Sequence, residues 1–275
     1  MMGTLYLVAT PIGNLEDLSP RAVRSLSTAV LIAAEDTRQT VKLLNHFNIH
    51  TPLTSYFEHS QLSKVEQILA ALEKGDVALV SDAGTPALND PGYELVRRAL
   101  AMGYPVSPVP GPCAPVAALV ASGLPTDAFL YLGYLPRKRS ERLQKLASAS
   151  SYPFTLLFLE APHRLLEALE DIPATLGDRE MAVARELTKQ HEEIFRGTAS
   201  AALAHFTAHP PRGEFTLVIA GKAAEATRWS EEALEAALQA ALEGGQPPSH
   251  IASRLAAESG WARREIYQRI LRLQK

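Results

Sequence analysis

Short apolar runs alternate with amphipathic stretches through the first 110 residues. LYLVA (5–9), VLIAA (30–34), PLTSY (52–56), VALVS (77–81) and PVSPV (105–109) have the length of strands. Between them, segments near 20–27, 38–47, 60–74 and 92–102 repeat apolar positions at helical spacing. Unbroken apolar strands separated by helices predict a parallel sheet covered on both faces. Lys74-Gly75-Asp76 and Met102-Gly103 read as helix stops placed just before strands.

The Pro-rich stretch PVPGPCAP (108–115) closes this first α/β domain, taken as residues 1–115. A second α/β domain, 116–225, follows. It holds AFLYLGYL (128–135), a basic helix (138–149), FTLLFLE (154–160), a helix from Pro162 to Leu176, MAVAREL (181–187), EEIFRG (192–197) and GEFTLVIAG (213–221). No helical pattern separates the strands near 181–197, so this sheet is expected to be mixed. Residues 228–275 form a C-terminal helical unit. Leu234, Leu238 and Leu242 recur at i,i+4 in the helix predicted over 230–245, with acids in its first turn and a Gly-Gly stop. Helices near 249–259 and 262–274 break at Ser259-Gly260, a pattern like a helix-turn-helix.

A chain of 275 residues suits two domains and a small appendage. Lys and Arg total 27 against 30 Asp and Glu, a net charge of −3. That excludes a globally basic nucleic-acid coat and leaves room for a local basic patch. The single cysteine, Cys113, excludes an internal disulfide and fits a cytoplasmic address. The longest apolar stretch, near Ala114 to Leu124, is about 11 residues, short of the roughly 18 of a membrane helix. The N-terminus lacks the basic segment of a signal peptide.

GxGxxG, GxxxxGK[ST], GxSxG and HExxH are all missing. His46/His50 and His205/His209 stand at i,i+4, but no carboxylate or thiolate joins either pair at metal-site spacing, so no metal is expected. The informative residues follow strands: ATPIGNLED (9–17), SDAGTPALNDPG (81–92), PGPCAP (110–115) and APHR (161–164). Open parallel sheets bind ligands outside the carboxyl ends of their strands. Small residues and prolines there let backbone approach a ligand closely and hold it rigidly.

LYLVATPIGN (5–14), EDTR (35–38), SDAGTP, PVPGPCA, YLGYLPRK (131–138), EAPHR (160–164), RELTK (185–189) and GEFTLVIAG (213–221) run in order over about 220 residues. The set resembles the bacterial small-subunit rRNA ribose methyltransferases of the tetrapyrrole methylase family. The resemblance implies two α/β domains with S-adenosylmethionine in the cleft between them. It also implies methyl transfer to the 2′-oxygen of a cytidine in 16S rRNA of the 30S subunit. The cofactor would be held by Pro11 and Gly13, by Asp82, Ala83, Gly84, Thr85 and Pro86, by Gly111, Pro112, Cys113 and Ala114, and, from the second domain, by Leu159, Glu160 and Ala161. Cys113 departs from the family, which usually has serine there.

Transfer to a hydroxyl benefits from a general base or an orienting group. The candidates are Asp36 in EDTR and Glu186 with Lys189 in RELTK, and the residues alone do not single one out. RNA needs phosphate contacts. Arg137, Lys138 and Arg139 open a basic run that continues to Arg142 and Lys145, and Arg38, Arg164 and Arg185 add charge beside the expected cleft. Arg254, Arg263, Arg264, Arg269, Arg272 and Lys275 make the tail a second candidate for contact with the ribosomal subunit. Two rival readings stand beside this one: a methylase of a small tetrapyrrole-like substrate, disfavoured by the basic run, and a non-enzymatic nucleic-acid-binding protein, disfavoured by the net charge. No membrane partner is expected, and the oligomeric state stays open, with a homodimer as one option.

Overall fold

The computed structural model describes residues 2–57, 62–223, 229–244 and 246–273. Five short apolar runs become β1 (Leu5–Val8), β2 (Leu31–Ala34), β3 (Leu53–Ser55), β4 (Val77–Val80) and β5 (Val106–Val109). They pair in parallel in the order β3-β2-β4-β1-β5, with Leu5 opposite both Val77 and Val106. Parallel strands need crossovers, supplied here by α1 (Pro20–Thr28), α2 (Thr37–His46), α3 (Leu62–Leu72) and α4 (Tyr93–Ala101). Leu5, Leu72, Leu79 and Leu95 pack on one face of the sheet, and Val8, Leu26, Ile32 and Val80 on the other. This burial on both sides explains why the strands read as continuous apolar runs.

The second sheet has the order β6-β7-β10-β8-β9, from β6 (Phe129–Tyr134), β7 (Thr155–Glu160), β8 (Glu180–Arg185), β9 (Glu193–Thr198) and β10 (Phe215–Ile219). Only β6 and β7 are parallel; the other pairs are antiparallel, so the sheet is mixed as expected. Two helices escaped the sequence reading: α5 (Ala114–Ser122) and, after α6 (Arg139–Ala149) and α7 (Leu165–Leu176), α8 (Ala199–Ala208). α5 is apolar nearly all round, with Val116 and Val120 exposed, so it lacks the polar stripe that marks a helix. Its Ala118 and Leu119 pack on Leu157, Ala182 and Val218 of the second sheet. α6 to α8 cover the opposite face through Leu146, Leu169 and Phe206. The expected border at residue 115 therefore falls inside a helix that belongs to the second sheet by packing.

The described residues fall into two compact units, 1–222 with both sheets and 223–275. The second contains α9 (Glu231–Glu243), α10 (Pro248–Ser259) and α11 (Arg263–Leu273), joined through Leu234, Leu238, Leu255, Trp261 and Ile266. Ser230 Oγ accepts from the Ala233 N–H to start α9, and Gly260 ends α10 at φ +68°. Gly245, Lys275 and the second expected border near 225–228 lie outside the described residues. Among the described residues no helix is long and apolar enough to cross a membrane.

Candidate active site

Three loops meet above the carboxyl ends of the first sheet. Thr10 and Gly84 exchange two backbone hydrogen bonds, 2.9 and 3.0 Å, binding the loop after β1 to the loop after β4. Thr10 Oγ1 donates to Ser81 O, and Thr85 Oγ1 donates to Pro112 O, drawing in the loop after β5. The loop after β2 joins through its acids. The Asp36 N–H donates to Asp82 Oδ1 at 3.0 Å, and the Asp82 N–H donates to Glu35 Oε2 at 3.3 Å.

These loops and the second sheet enclose a cleft of about 390 Å³, within the usual range for a small-molecule site. From the first sheet come Asp82, Ala83, Gly84 and Thr85, then Cys113 and Ala114 at the start of α5. From the second come Leu159 and Glu160 at the end of β7. Gly111 and Pro112 line an adjoining shallow groove with Cys113 and Ile12. Pro11, Gly13, Pro86 and Ala161 line neither. Gly13 instead lies against the Lys189 stem, where a Cβ would collide, and Ala161 gives its N–H to Glu160 Oε1 at 2.8 Å.

The cleft is acidic. Glu35, Asp82, Asp90, Glu160 and Glu214 line it, and no Lys, Arg or His does so among the described residues. Burial and the neighbouring Glu35 and Asp82 push the Asp90 carboxyl up to about 6. Burial likewise raises Glu160. Its Oε1 takes Arg164 Nη2 at 2.6 Å, while Oε2 is buried without a partner among the described residues.

The three expected general bases sit elsewhere. Asp36 caps α2, and its hydrogen bonds from the Arg38 side chain and N–H hold its carboxyl at about 2. A carboxylate so strongly paired is a poor proton acceptor. Glu186 sits at φ +50° with its side chain against Gly213. Burial alone would raise its pKa, but the Lys189 ammonium at 2.8 Å and the Glu214 N–H keep it below its usual value. Lys189 also pairs with Glu214. None of the three lines the cleft.

The basic residues divide. Arg137 and Lys138 are exposed, and Lys138 pairs with Glu141 at 3.2 Å. Arg139 is exposed but bonds Asp171 at 2.9 Å. Arg142 is 1% exposed between Asp171 and Glu167, and the Lys145 ammonium is spent on the Leu132 and Tyr134 carbonyls. Arg164 is turned inward to Glu160 and the Leu135 carbonyl, and Arg185 to Glu193 and the Arg212 carbonyl. Arg38 remains exposed. In the tail, Arg269 bonds Glu231 and Glu235 and lies 4.6 Å over the Trp261 ring.

Sequence reasoning missed Glu35, Asp90, Tyr131, Tyr134, Glu214 and Thr216, all of which line the cleft. Asp90 stands in the NDPG half of a motif read only for its first half. Tyr131 and Tyr134 stand in YLGYLPRK, whose basic end is the part that signals a chemistry in the sequence.

Residues 4–203 match the family model described as tetrapyrrole (corrin/porphyrin) methylases. A relative named ribosomal RNA small subunit methyltransferase I from Synechocystis sp. is 49% identical over 99% of both chains. One of the same name from Thermotoga maritima is 46% identical over 222 residues, 80% of this chain and 100% of its own. A solved cobalt precorrin-4 methyltransferase has the same fold, with a TM-score of 0.59 and 16% identity over 79% of this chain and 94% of its own. The chain belongs to the tetrapyrrole (corrin/porphyrin) methylase family, in its branch of small-subunit ribosomal RNA methyltransferases.

Proposed function

We propose that this protein transfers a methyl group from S-adenosylmethionine to the 2′-oxygen of a cytidine in 16S rRNA of the 30S subunit, in the cytoplasm. The observation that carries the reading is the acid-lined cleft at the carboxyl ends of the first sheet, in a chain 49% identical along its length to a named ribosomal RNA methyltransferase. The donor set fits the group: among the described residues several carboxylates and no cationic side chain line the cleft, which suits a sulfonium and an ammonium. When bound, S-adenosylmethionine supplies a methyl group on a cationic sulfur.

Asp82, fixed by the Asp36 N–H, keeps its second oxygen for hydroxyl or ammonium groups. Ala83, Gly84 and Ala114 bring small residues and backbone to the ligand, and Leu159 closes over it from the second sheet. The laced loops hold these groups in place before the ligand arrives, and such positioning supplies much of the barrier reduction in group transfer. Arg137 and Lys138, exposed beyond β6, are the phosphate contacts; Arg38 is a third. Arg164 and Arg185 are committed to internal pairs and serve the fold.

The test is methyl transfer from labelled S-adenosylmethionine to 30S subunits, free 16S rRNA and an RNA-free control, with mapping of the modified ribose. Label on a cytidine 2′-oxygen is the expected result. Label on no RNA, or on a position other than a ribose 2′-oxygen, overturns the reading.

A further inference from the structure

β6 is irregular where it meets the cleft. Tyr131 pairs with Leu157 and Tyr134 with Leu159, so three steps along β6 match two along β7. Side chains alternate faces along a regular strand, and residues 131 and 134 would then point opposite ways. The extra residue restores the phase, and both tyrosines line the same cleft. Gly133 sits in the irregular stretch at φ +65°, and a Cβ there would come within 2.6 Å of the Asn89 amide. The Lys145 ammonium fastens the carbonyls on either side, Leu132 O at 2.6 Å and Tyr134 O at 3.0 Å.

The Tyr131 hydroxyl is buried and has no partner among the described residues. Burial raises the pKa of its phenol, so it stays protonated and acts as a donor. A buried donor left unpaired is costly, which points to a partner that arrives with a ligand. Three residues on, Tyr134 is 50% exposed. Exposed Arg137 and Lys138 follow directly. β6 thus runs from a buried hydroxyl to an open aromatic ring, and exposed cationic side chains lie just beyond its end. That order matches the ribose or base oxygens, base face and phosphates of a nucleotide entering from an RNA strand.

We propose that the bulged end of β6 is the acceptor-nucleotide subsite, where the Tyr134 ring packs on the base and the Tyr131 hydroxyl donates to an oxygen of the same nucleotide. This rests on the reading of the protein as an RNA methyltransferase. Full-length Tyr131→Phe and Tyr134→Ala test it. Without RNA, both variants keep wild-type affinity for S-adenosylmethionine by calorimetry, and Tyr131→Phe keeps or raises its thermal midpoint, because no protein partner is lost and an unpaired buried donor is removed. With 30S subunits, Tyr131→Phe transfers methyl groups at least tenfold more slowly in a single turnover. Tyr134→Ala, loaded with S-adenosylhomocysteine, sediments with 30S subunits about tenfold more weakly, the scale of a lost base stack.

A lower midpoint for Tyr131→Phe would give the hydroxyl a partner inside the protein and overturn the subsite. Lost S-adenosylmethionine affinity would assign it to the methyl donor, also against the proposal. Active wild type with an unaffected Tyr131→Phe variant overturns the subsite alone, whereas wild type that methylates no RNA overturns the functional reading with it.

Discussion

Gly84 stands where three loops cross. Its φ of +81° is a conformation that costs most residues about 1–2 kcal/mol, and its backbone makes both hydrogen bonds to Thr10. A side chain there would also enter the cleft beside Ile12. Gly84→Val should lower S-adenosylmethionine affinity more than tenfold in calorimetry while keeping a single cooperative unfolding transition. Asp90 gives a pH signature. Its folded pKa of about 6 lies above the roughly 3.9 of an unfolded aspartate, so the native state holds its proton more tightly. Its contribution to stability is complete below about pH 4 and is lost as pH rises through 6. Asp90→Asn should match wild type in thermal midpoint near pH 4 and exceed it above pH 6. A constant difference across that range would show that the carboxyl does not titrate there.

Among the elements, α6 is the one whose sequence misleads. Its run of cations reads as one basic face, yet Arg142 and Asp171 are each 1% exposed and bonded at 2.8 Å. Breaking a buried pair by removing one partner costs about 3 kcal/mol, because the other charge stays behind. Arg142→Met should lower the unfolding free energy by about that amount in urea titration, and Lys138→Ala should leave it within about 0.5 kcal/mol. The strands were legible because short apolar runs bounded by Gly and Pro admit few other structures. α5 and α8 were not, since neither carries a polar stripe. The loops after β1, β4 and β5 could be placed at one edge of the first sheet from chain order alone. Their pairing was hidden: nothing in RELTK tells that Glu186 and Lys189 turn to each other and to Glu214. Nor does alternation reveal that Tyr131 and Tyr134 share a wall, because the bulge that aligns them breaks the alternation rule.

At the scale of the molecule, charge is segregated within the first unit: carboxylates line the cleft, and exposed Arg137 and Lys138 lie just past the strand that reaches it. Replacing both by alanine should flatten the dependence of log affinity for 30S subunits on log salt by about one unit per lost phosphate contact. Affinity for S-adenosylmethionine should not change. An unaltered salt slope would make the two residues mere solvated surface.

The strand order has a consequence for hydrogen exchange. β4 is the middle strand of the first sheet, buried at all four residues and flanked by β2 and β1, and it runs straight into the loop that carries Asp82 and Gly84. Its amides should exchange with deuterium only when the first unit opens as a whole. A ligand that binds only the folded state slows such exchange by the factor 1 + [L]/Kd. With S-adenosylmethionine at about 100 times its dissociation constant, the Val77–Val80 amides should therefore exchange about a hundredfold more slowly, although none of them touches the ligand. Protection confined to residues 82–86 would show instead that the loops open without the sheet beneath them.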